Sequence, residues 1–333
     1  MKRLFALLCG MVWLAISASA AAYSSLYIFG DSLSDVGNNA IAFGGAFTPQ
    51  SAITSNSFIP SGAPYESGHY TNGDIWAQSF AAALHLPDPT PTLLSAATGT
   101  DFAFGGARTG PIDPGFPNIT TIPPTLATQA AIFIGAKNGV VPSTALYVVA
   151  GGGNDARDAA NAIFNGADPT ATIASAASDY ATNISGIVHD LENAGAEHIV
   201  VWNVPDLGQT PYVRSIPGAS GPASFLASQM NIALLAAVGQ DPDVTVFDLF
   251  DTVDAVIDDP AKYGLANVTD ACGAVVGCDP SQYLFWDGIH PTSAGHELIA
   301  GAMFGLVVPE PTLFALLLPG LLIVALMGRR RRA

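Results

Sequence analysis

The chain has 333 residues, of which half are apolar and 11% are charged, with 11 Lys and Arg against 27 Asp and Glu. This length allows one large domain or two small ones, and the apolar content excludes intrinsic disorder. Between residues 23 and 308, five basic residues stand against 26 acidic ones, a net formal charge of −21. Such a surface excludes nucleic-acid binding, because that binding relies on Lys and Arg to neutralise phosphates.

The amino-terminal segment has the three-part layout of a secretory signal peptide. Two basic residues precede an apolar run from Leu4 to Ile16, and small residues follow as far as Ala22. A membrane-spanning helix needs about 20 apolar residues, which is more than this run supplies. The sequence therefore predicts a signal peptide over residues 1–22 and an exported protein.

Short apolar runs rich in β-branched and aromatic residues alternate with longer Ala-rich stretches, which is typical of parallel strands joined by helices. The strand runs are apolar throughout, which suits strands covered on both faces. The predicted strands are Leu26–Phe29, Phe102–Phe104, Leu146–Ala150, Ile199–Trp202 and Val244–Phe247. The predicted helices are Asp74–Leu84, Pro124–Lys137, Pro169–Ala194, Ser220–Val238 and Thr292–Phe304. The sequence predicts one domain over residues 23–307 with a three-layer α/β/α sandwich around a central parallel sheet.

Polar and Gly-rich groups follow the predicted strands, and the ligand crevice of an open α/β sheet lies at those carboxyl ends. Ser32 comes after the first strand, in a predicted strand-to-helix turn. The backbone N–H at a helix start favours negative charge, so a nucleophile placed there gains a donor for its oxyanion. The alternative is that Ser32 only caps the helix, as serine often does.

A second chemical group lies near the end of the domain, in Asp287-Gly288-Ile289-His290-Pro291. A serine nucleophile needs an imidazole base, and the imidazole needs a carboxylate that fixes its tautomer and stabilises its charged form. Asp287 precedes His290 by three residues on a bent loop, so one segment supplies both groups. A solvated loop with an incidental pair is the alternative.

Cys272 and Cys278 are the two cysteines of the domain. In an oxidising compartment such a pair predicts a disulfide, which contributes about 2 kcal/mol for so small a loop in the chain-entropy model. No set of Cys and His residues has the spacing of a zinc site, so no metal is expected.

The carboxyl-terminal segment, residues 308–333, also has three parts. Val308-Pro309-Glu310-Pro311 precedes an apolar run from Thr312 to Met327, and four arginines follow. Sixteen apolar residues make a marginal membrane span whose basic end stays cytoplasmic. The segment resembles the PEP-CTERM sorting signal of Gram-negative bacteria, which implies processing by the membrane protease exosortase and a place in the cell envelope or outside the cell after transient anchoring. A plain tail anchor is the alternative.

Four blocks, in order, resemble those of the GDSL or SGNH family of serine esterases and lipases, over about residues 26 to 305. They are Phe29-Gly30-Asp31-Ser32-Leu33-Ser34-Asp35, Asp101-Phe102-Ala103-Phe104-Gly105-Gly106-Ala107, Gly152-Gly153-Asn154-Asp155 and Asp287-Gly288-Ile289-His290-Pro291. Tyr70–Gly73 and Asn203–Pro211 resemble stretches that flank the family's site. The chain departs from the usual family pattern at Asp101, where Asn is common.

The resemblance implies a flavodoxin-like SGNH hydrolase that cleaves carboxylic esters without a cofactor. It makes Ser32 the nucleophile, His290 the general base and Asp287 the carboxylate that orients the base. The N–H groups of Ser32 and Gly106 and the amide of Asn154 then form the oxyanion hole. Gly105 is the alternative to Gly106 for the second of these donors.

Three competing interpretations are weaker or remain open. Gly151, Gly153 and Ala156 match a loose dinucleotide-binding pattern, but the preceding strand lies mid-chain and export removes the protein from nicotinamide pools. A polysaccharide O-deacetylase with the same triad and a non-catalytic envelope binding module both suit the same fold.

The apolar, Gly- and Pro-rich segment Ile41–Tyr65 is either an acyl-binding lid or a surface loop packed on the domain.

Overall fold

The structure, a computed structural model, describes residues 23–44, 53–60, 65–110 and 123–308. The predicted signal peptide and residues 309–333 of the predicted sorting signal lie outside these ranges. In chain order the elements are β1 (Leu26–Gly30), α1 (Asn38–Ala42), α2 (Trp76–Ala83), α3 (Leu126–Ala136), β2 (Leu146–Ala150), α4 (Gly153–Phe164), α5 (Pro169–Asn193), β3 (Ile199–Trp202), α6 (Pro211–Arg214), α7 (Ser220–Val238), β4 (Val244–Phe247), α8 (Leu249–Asp258), β5 (Asn267–Ala271), β6 (Tyr283–Phe285) and α9 (Ser293–Val307).

Four parallel strands form the central sheet in the order β1-β2-β3-β4. Every residue of β1, β2 and β3 is buried, which accounts for their uninterrupted apolar runs. Phe29 pairs with Val149 and Val149 with Val201, so the carboxyl ends of these strands lie side by side. β2, β3 and β4 have the predicted bounds, and β1 extends one residue further.

The segment Phe102–Phe104 is not a regular strand, so that prediction is wrong. Its backbone lies along the outer edge of β1, where the N–H of Phe102 donates to Ile28 O at 2.8 Å. The N–H of Phe104 also donates to Gly30 O, but the pairing amounts to a single bridge between Asp101 and Ile28, because the Gly30 N–H donates to Gln129 Oε1 and not to this segment. With this segment as its edge, the sheet has the 2-1-3-4-5 order of flavodoxin-like folds.

Two apolar clusters cover the two faces of the sheet. Tyr27 and Tyr147 face α3, α4, α5 and α7 on one side. Ile28 and Val148 face α2, α8 and α9 on the other. Successive strand residues enter opposite clusters because side chains alternate across a pleated strand. The predicted three-layer α/β/α sandwich with a central parallel sheet is confirmed.

All five predicted helices form, as α2, α3, α5, α7 and α9, with ends that differ from the prediction by at most three residues. The sequence did not predict α1, α4, α6 or α8. In α4 the side that faces the core consists mainly of alanine, at Ala156, Ala159 and Ala160, so the apolar signal of this helix in the sequence is weak.

A small two-stranded sheet pairs β5 with β6 and was also not predicted. β5 mixes polar and apolar residues, and β6 is only three residues long, so neither gives a clear strand signal. A disulfide joins Cys272 and Cys278 in the connection between them. β6 leads directly into the segment that carries Asp287 and His290.

Within the described ranges, α7 is the one helix that is long and apolar enough to cross a membrane by length and composition. Its buried residues, which include Leu226, Met230 and Leu234, belong to the core cluster on one face of the sheet. The buried side of α7 therefore packs in the core of the domain.

Candidate active site

Ser32 lies in the turn that follows β1. This turn is closed by the N–H of Asp35, which donates to Asp31 O at 3.1 Å. The next helix begins only at Asn38, so Ser32 neither stands at a helix start nor caps a helix, and both interpretations are wrong. The Asp35 carboxylate accepts the N–H groups of residues 37–39, at distances between 2.6 and 3.2 Å, and so takes the helix-start donors itself.

A continuous chain of hydrogen bonds joins three predicted site residues. Ser32 Oγ lies 2.8 Å from His290 Nε2, and His290 Nδ1 lies 2.7 Å from Asp287 Oδ2. Asp287 is fully buried, whereas Ser32 retains 9% of its exposure. Asp287 Oδ1 accepts the N–H groups of Ile289 and His290, both at 2.8 Å. A carboxylate fixed in this way keeps a proton on Nδ1 of the imidazole. Nε2 is then free to accept the proton of the Ser32 hydroxyl.

The loop that carries His290 is held from two sides. Gly288 donates its N–H to Phe58 O and accepts the N–H of Tyr212, both at 2.8 Å. On the other side, Thr71 Oγ1 donates to Pro291 O at 2.8 Å. The flanking segment Tyr70–Gly73 therefore fixes the histidine loop, a contact that the sequence did not reveal.

The ring of Tyr70 packs against the His290 imidazole, with 5.2 Å between ring centroids. Asn39 Nδ2 donates to the Tyr70 hydroxyl at 2.7 Å and to Gly105 O at 3.0 Å. A Cβ at Gly105 would lie 2.2 Å from the Tyr70 hydroxyl oxygen, so only glycine allows the ring this position. Tyr70 thus links the histidine to the second family block.

The choice between Gly105 and Gly106 as a backbone donor follows from their partners. The Gly105 N–H donates to Asp35 Oδ2 at 2.9 Å and is therefore occupied. The N–H groups of Ser32 and Gly106 have no acceptor among the residues that the structure describes. Gly106 has a φ of 84°, a conformation that favours glycine.

Arg108 holds the peptide group of Gly106 through its carbonyl oxygen. Its guanidinium donates to Gly106 O at 2.9 Å and forms a two-pronged ion pair with Asp158 on α4. The arginine thereby joins the Gly106 loop to the helix that carries Asn154. Sequence reasoning did not single out either member of this ion pair.

The side-chain amide of Asn154 is buried and partly engaged. Its Nδ2 donates to Ala107 O at 2.9 Å and approaches Asp31 Oδ2 at 3.4 Å. The longer contact is weak, so an oxygen of a bound substrate can replace it. Burial raises the pKa of Asp31 to about 6, because desolvation disfavours its charged form.

Asp101 stands where the family usually has Asn, and the structure shows its hydrogen bonds. Its carboxyl accepts the N–H groups of Val36 and Ala103 and the amide of Asn38, at distances between 3.0 and 3.2 Å. Burial, with Asp35 nearby, raises the pKa of Asp101 well above its usual value. A protonated carboxyl at this position resembles the neutral amide that it replaces.

A cavity of about 430 Å³ opens beside Ser32, Asn154 and His290. α4 contributes one part of the lining, and most of the remaining lining is apolar and is called the apolar wall below. The apolar wall includes Pro205, Leu207, Val213, Ile216, Pro222 and Leu226. The flanking stretch Asn203–Pro211 therefore contributes to the cavity. Such a mixture of apolar lining and few polar groups is typical of small-molecule sites.

The described residues of the candidate lid, 41–44, 53–60 and 65, do not line this cavity. Ile53 and Tyr65 instead form a buried cluster with Cys272 and Trp286. This packing places Ile53 and Tyr65 against Trp286, next to the loop that carries His290. The structure thus favours a packed surface loop over an acyl-binding lid for these residues.

Gln129 is a further positioning residue that the sequence did not indicate. Its buried side chain accepts the N–H of Gly30 at 2.8 Å and donates to Gly30 O at 2.9 Å, two residues before Ser32. Glutamine in the apolar helix α3 carries no signal of this contact, since 99 residues separate the two partners.

One cluster in the described ranges brings three acidic groups together. Ligand oxygens of Glu192, Asp241 and Asp243 lie within 4.8 Å of one another. None of these residues lines the cavity beside Ser32. The cluster is therefore separate from the candidate active site.

A family model described as GDSL-like lipase/acylhydrolase matches residues 26–303. Esterase EstA of Pseudomonas aeruginosa is 29% identical, over 88% of this chain and 48% of its own length. A GDSL esterase/lipase of Arabidopsis thaliana is 26% identical, over 83% of this chain and 87% of its own. A solved α/β hydrolase from the metagenome of Lake Arreo aligns with a TM-score of 0.44 and 14% identity, over 86% of this chain and 95% of its own. The chain spans about half the length of the Pseudomonas relatives.

Proposed function

Because the chain belongs to the GDSL-like lipase/acylhydrolase family, we propose that it hydrolyses carboxylic esters through an acyl-enzyme on Ser32. The observation that carries this proposal is the hydrogen-bond chain from Ser32 Oγ through the His290 imidazole to Asp287. A serine hydroxyl becomes a competent nucleophile when an oriented imidazole can take its proton.

The first half of the reaction forms the acyl-enzyme. Ser32 Oγ attacks the ester carbonyl while His290 Nε2 takes the hydroxyl proton, and Asp287 stabilises the imidazolium. The tetrahedral intermediate then collapses, the bond to the alcohol oxygen breaks, and His290 returns its proton to the leaving alcohol. In the second half, water attacks the acyl carbonyl with His290 again as base, and the carboxylic acid leaves.

Three donors are placed to receive the oxyanion. They are the N–H groups of Ser32 and Gly106, for which the described residues offer no acceptor, and the Nδ2 of Asn154. Loss of one such donor typically lowers kcat by about 10²- to 10³-fold. The partners of Gly105 support Gly106 over Gly105 in this role.

The cavity supports an acyl group larger than acetyl. A volume of about 430 Å³ with one long apolar wall exceeds what an acetyl group fills. An esterase or lipase with an aliphatic acyl chain is therefore favoured over a polysaccharide O-deacetylase with the same triad.

We also propose that the protein is exported. The supporting features are the signal-peptide layout of residues 1–22, the Cys272–Cys278 disulfide and the tripartite segment at residues 308–333. In this proposal the domain over residues 23–307 faces outside the cytoplasm, and an exosortase-type protease processes a transient membrane anchor.

The test is hydrolysis of p-nitrophenyl esters from acetyl to palmitoyl by the protein and by its Ser32→Ala variant. We expect activity that is highest on an acyl chain longer than acetyl and that the variant lacks. Highest activity on acetyl would favour the deacetylase, and full activity of Ser32→Ala would overturn the triad. Inactivity of both proteins on every ester would favour the binding module.

A further inference from the structure

Helix α4 turns a row of side chains toward the cavity, and three of them are polar. Asn154, Arg157, Asn161 and Phe164 follow one another at helical spacing, and all four line the cavity beside Ser32. Arg157 stands one turn after Asn154, the side-chain donor of the proposed oxyanion hole. A cation therefore lies next to the place where the ester carbonyl would bind.

Arg157 has no partner for its charge within the described part of the chain. Its guanidinium forms no ion pair or hydrogen bond there, although Asp31 and Asp158 are near enough to influence its pKa. Burial lowers the pKa of Arg157, because desolvation disfavours the charged form. The guanidinium nitrogens are not among the buried, unpartnered polar atoms of the described residues, so water reaches them. An anion that enters the cavity would replace this water with charge-assisted hydrogen bonds.

The other four basic residues between residues 23 and 308 are engaged elsewhere. Arg108 pairs with Asp158, Arg214 bonds Gln209, Lys137 donates to a carbonyl, and Lys262 lies over a tyrosine ring. None of the four lines the cavity. With a net charge of −21 the domain as a whole repels anions, so an anionic substrate would need a local cation.

We propose that Arg157 determines specificity by binding an anionic group, a carboxylate or a phosphate, of the ester substrate. The acyl chain would lie on the apolar wall, and the guanidinium fork would bind the anion's oxygens in pairs. This inference rests on the proposed ester hydrolysis, and it names the class of ester.

The experiment compares two matched pairs of esters with the full-length protein. 4-Nitrophenyl hexanoate and mono-4-nitrophenyl adipate differ by a carboxylate on the acyl side. A monoacylglycerol and the lysophosphatidate of the same acyl chain differ by a phosphate on the alcohol side. The pair whose hydrolysis responds to substitution of Arg157 shows whether the anion is a carboxylate or a phosphate, and whether it lies on the acyl or the alcohol side of the ester.

The readout is the ratio of kcat/KM for the anionic ester to that for its neutral partner. For at least one pair, we expect Arg157→Gln to lower this ratio tenfold or more and Arg157→Lys to restore part of it. Arg214→Gln removes the same charge from an exposed position outside the cavity, and it should leave the ratio within twofold. An equal loss on both members of each pair, or no change in either ratio, would overturn the proposal.

A binding measurement separates this inference from the proposed function. Calorimetric titration with adipic acid monoamide and with hexanamide does not require Ser32 to react. Weaker binding of the monoamide alone in Arg157→Gln would support the anion site even if every ester were left uncleaved. Equal binding of the monoamide to both proteins would rule out a carboxylate site. In the same titration with glycerol 3-phosphate, weaker binding to Arg157→Gln would support a phosphate site, and equal binding would rule it out.

Discussion

Asn154 can serve the reaction with only one of its two amide hydrogens. One is held on Ala107 O at 2.9 Å, whereas the other approaches Asp31 Oδ2 at 3.4 Å. The first bond keeps the side chain in place, and the second is weak enough to be exchanged for a substrate oxygen.

Asn154→Ala should therefore lower kcat by about 10²- to 10³-fold on the best p-nitrophenyl ester. Asn161→Ala provides the matched control, because Asn161 lines the same cavity two turns further along α4. We expect less than a threefold effect from the control. Similar losses in the two variants would show that Asn154 does not stabilise the transition state.

Asp31 links protonation of the site to stability. Its pKa is about 6 in the folded protein and about 3.9 in an unfolded chain. Between these values the folded state holds a proton that the unfolded state has lost. The contribution of Asp31 to stability is therefore full below about pH 4 and is lost as the pH rises through about 6.

Asp31→Asn should remove this dependence, which amounts to about 3 kcal/mol at most. Urea unfolding of both proteins across that pH range measures it. The free energy of unfolding of the wild type should fall relative to that of the variant as the pH rises. Parallel curves would mean that Asp31 has an ordinary pKa.

At the scale of elements, the site depends on helices and loops that brace the strand ends. Gln129 on α3 satisfies both backbone groups of Gly30, where the sheet ends and the Ser32 turn begins. Replacing it with leucine would leave the buried N–H of Gly30 without an acceptor, whereas Gly30 O would keep the N–H of Phe104 at 3.1 Å.

Gln129→Leu should lower the free energy of unfolding by about 2 kcal/mol, since an orphaned buried N–H costs about 1–3 kcal/mol. Displacement of the Ser32 turn should also lower kcat. Chemical denaturation and ester kinetics give the two readouts. A variant with wild-type stability would show that Gly30 does not need this side chain.

The elements that the sequence predicts well are those with a one-dimensional signature. β2, β3 and β4 have their predicted bounds because apolar runs mark them, and α5 begins at the predicted Pro169, where Asp168 caps the helix. The signal of α4 is weaker, since alanines form most of the side that faces the core. Phe102–Phe104 has the apolar run of a strand but forms no regular strand, because the Gly30 N–H of the neighbouring strand donates to the Gln129 side chain and not to this segment.

The candidate site divides in the same way. Ser32, His290 and Asp287 are predictable because each stands in a compact block, and the fold brings the blocks together. Tyr70 and Gln129 matter through partners that are distant in sequence, and Arg157 matters because no residue in the described ranges pairs with its charge. A single sequence does not encode such contacts locally, so the structure was needed to find them.

At the scale of the whole molecule, the dominant feature is negative charge. The net charge of −21 over residues 23–308 produces self-repulsion in the compact state. Exposed charges more than about 10 Å apart are screened at about 0.1 M salt.

Sodium chloride should therefore raise the Tm between about 10 mM and about 500 mM, as the Debye length falls from about 30 Å to a few ångströms. Differential scanning calorimetry at fixed pH gives the measurement. A Tm that stays constant or falls would mean that repulsion among the acidic side chains does not limit the stability of the domain.

The most direct test of the central claim is covalent trapping of Ser32. The protein, its His290→Ala variant and its Ser32→Ala variant are treated with a fluorophosphonate, and mass spectrometry locates the adduct. The proposed triad predicts one adduct on Ser32 of the wild type, a much slower reaction in His290→Ala and none at this site in Ser32→Ala. An adduct on another residue, or labelling of Ser32 at an unchanged rate without His290, would contradict the account.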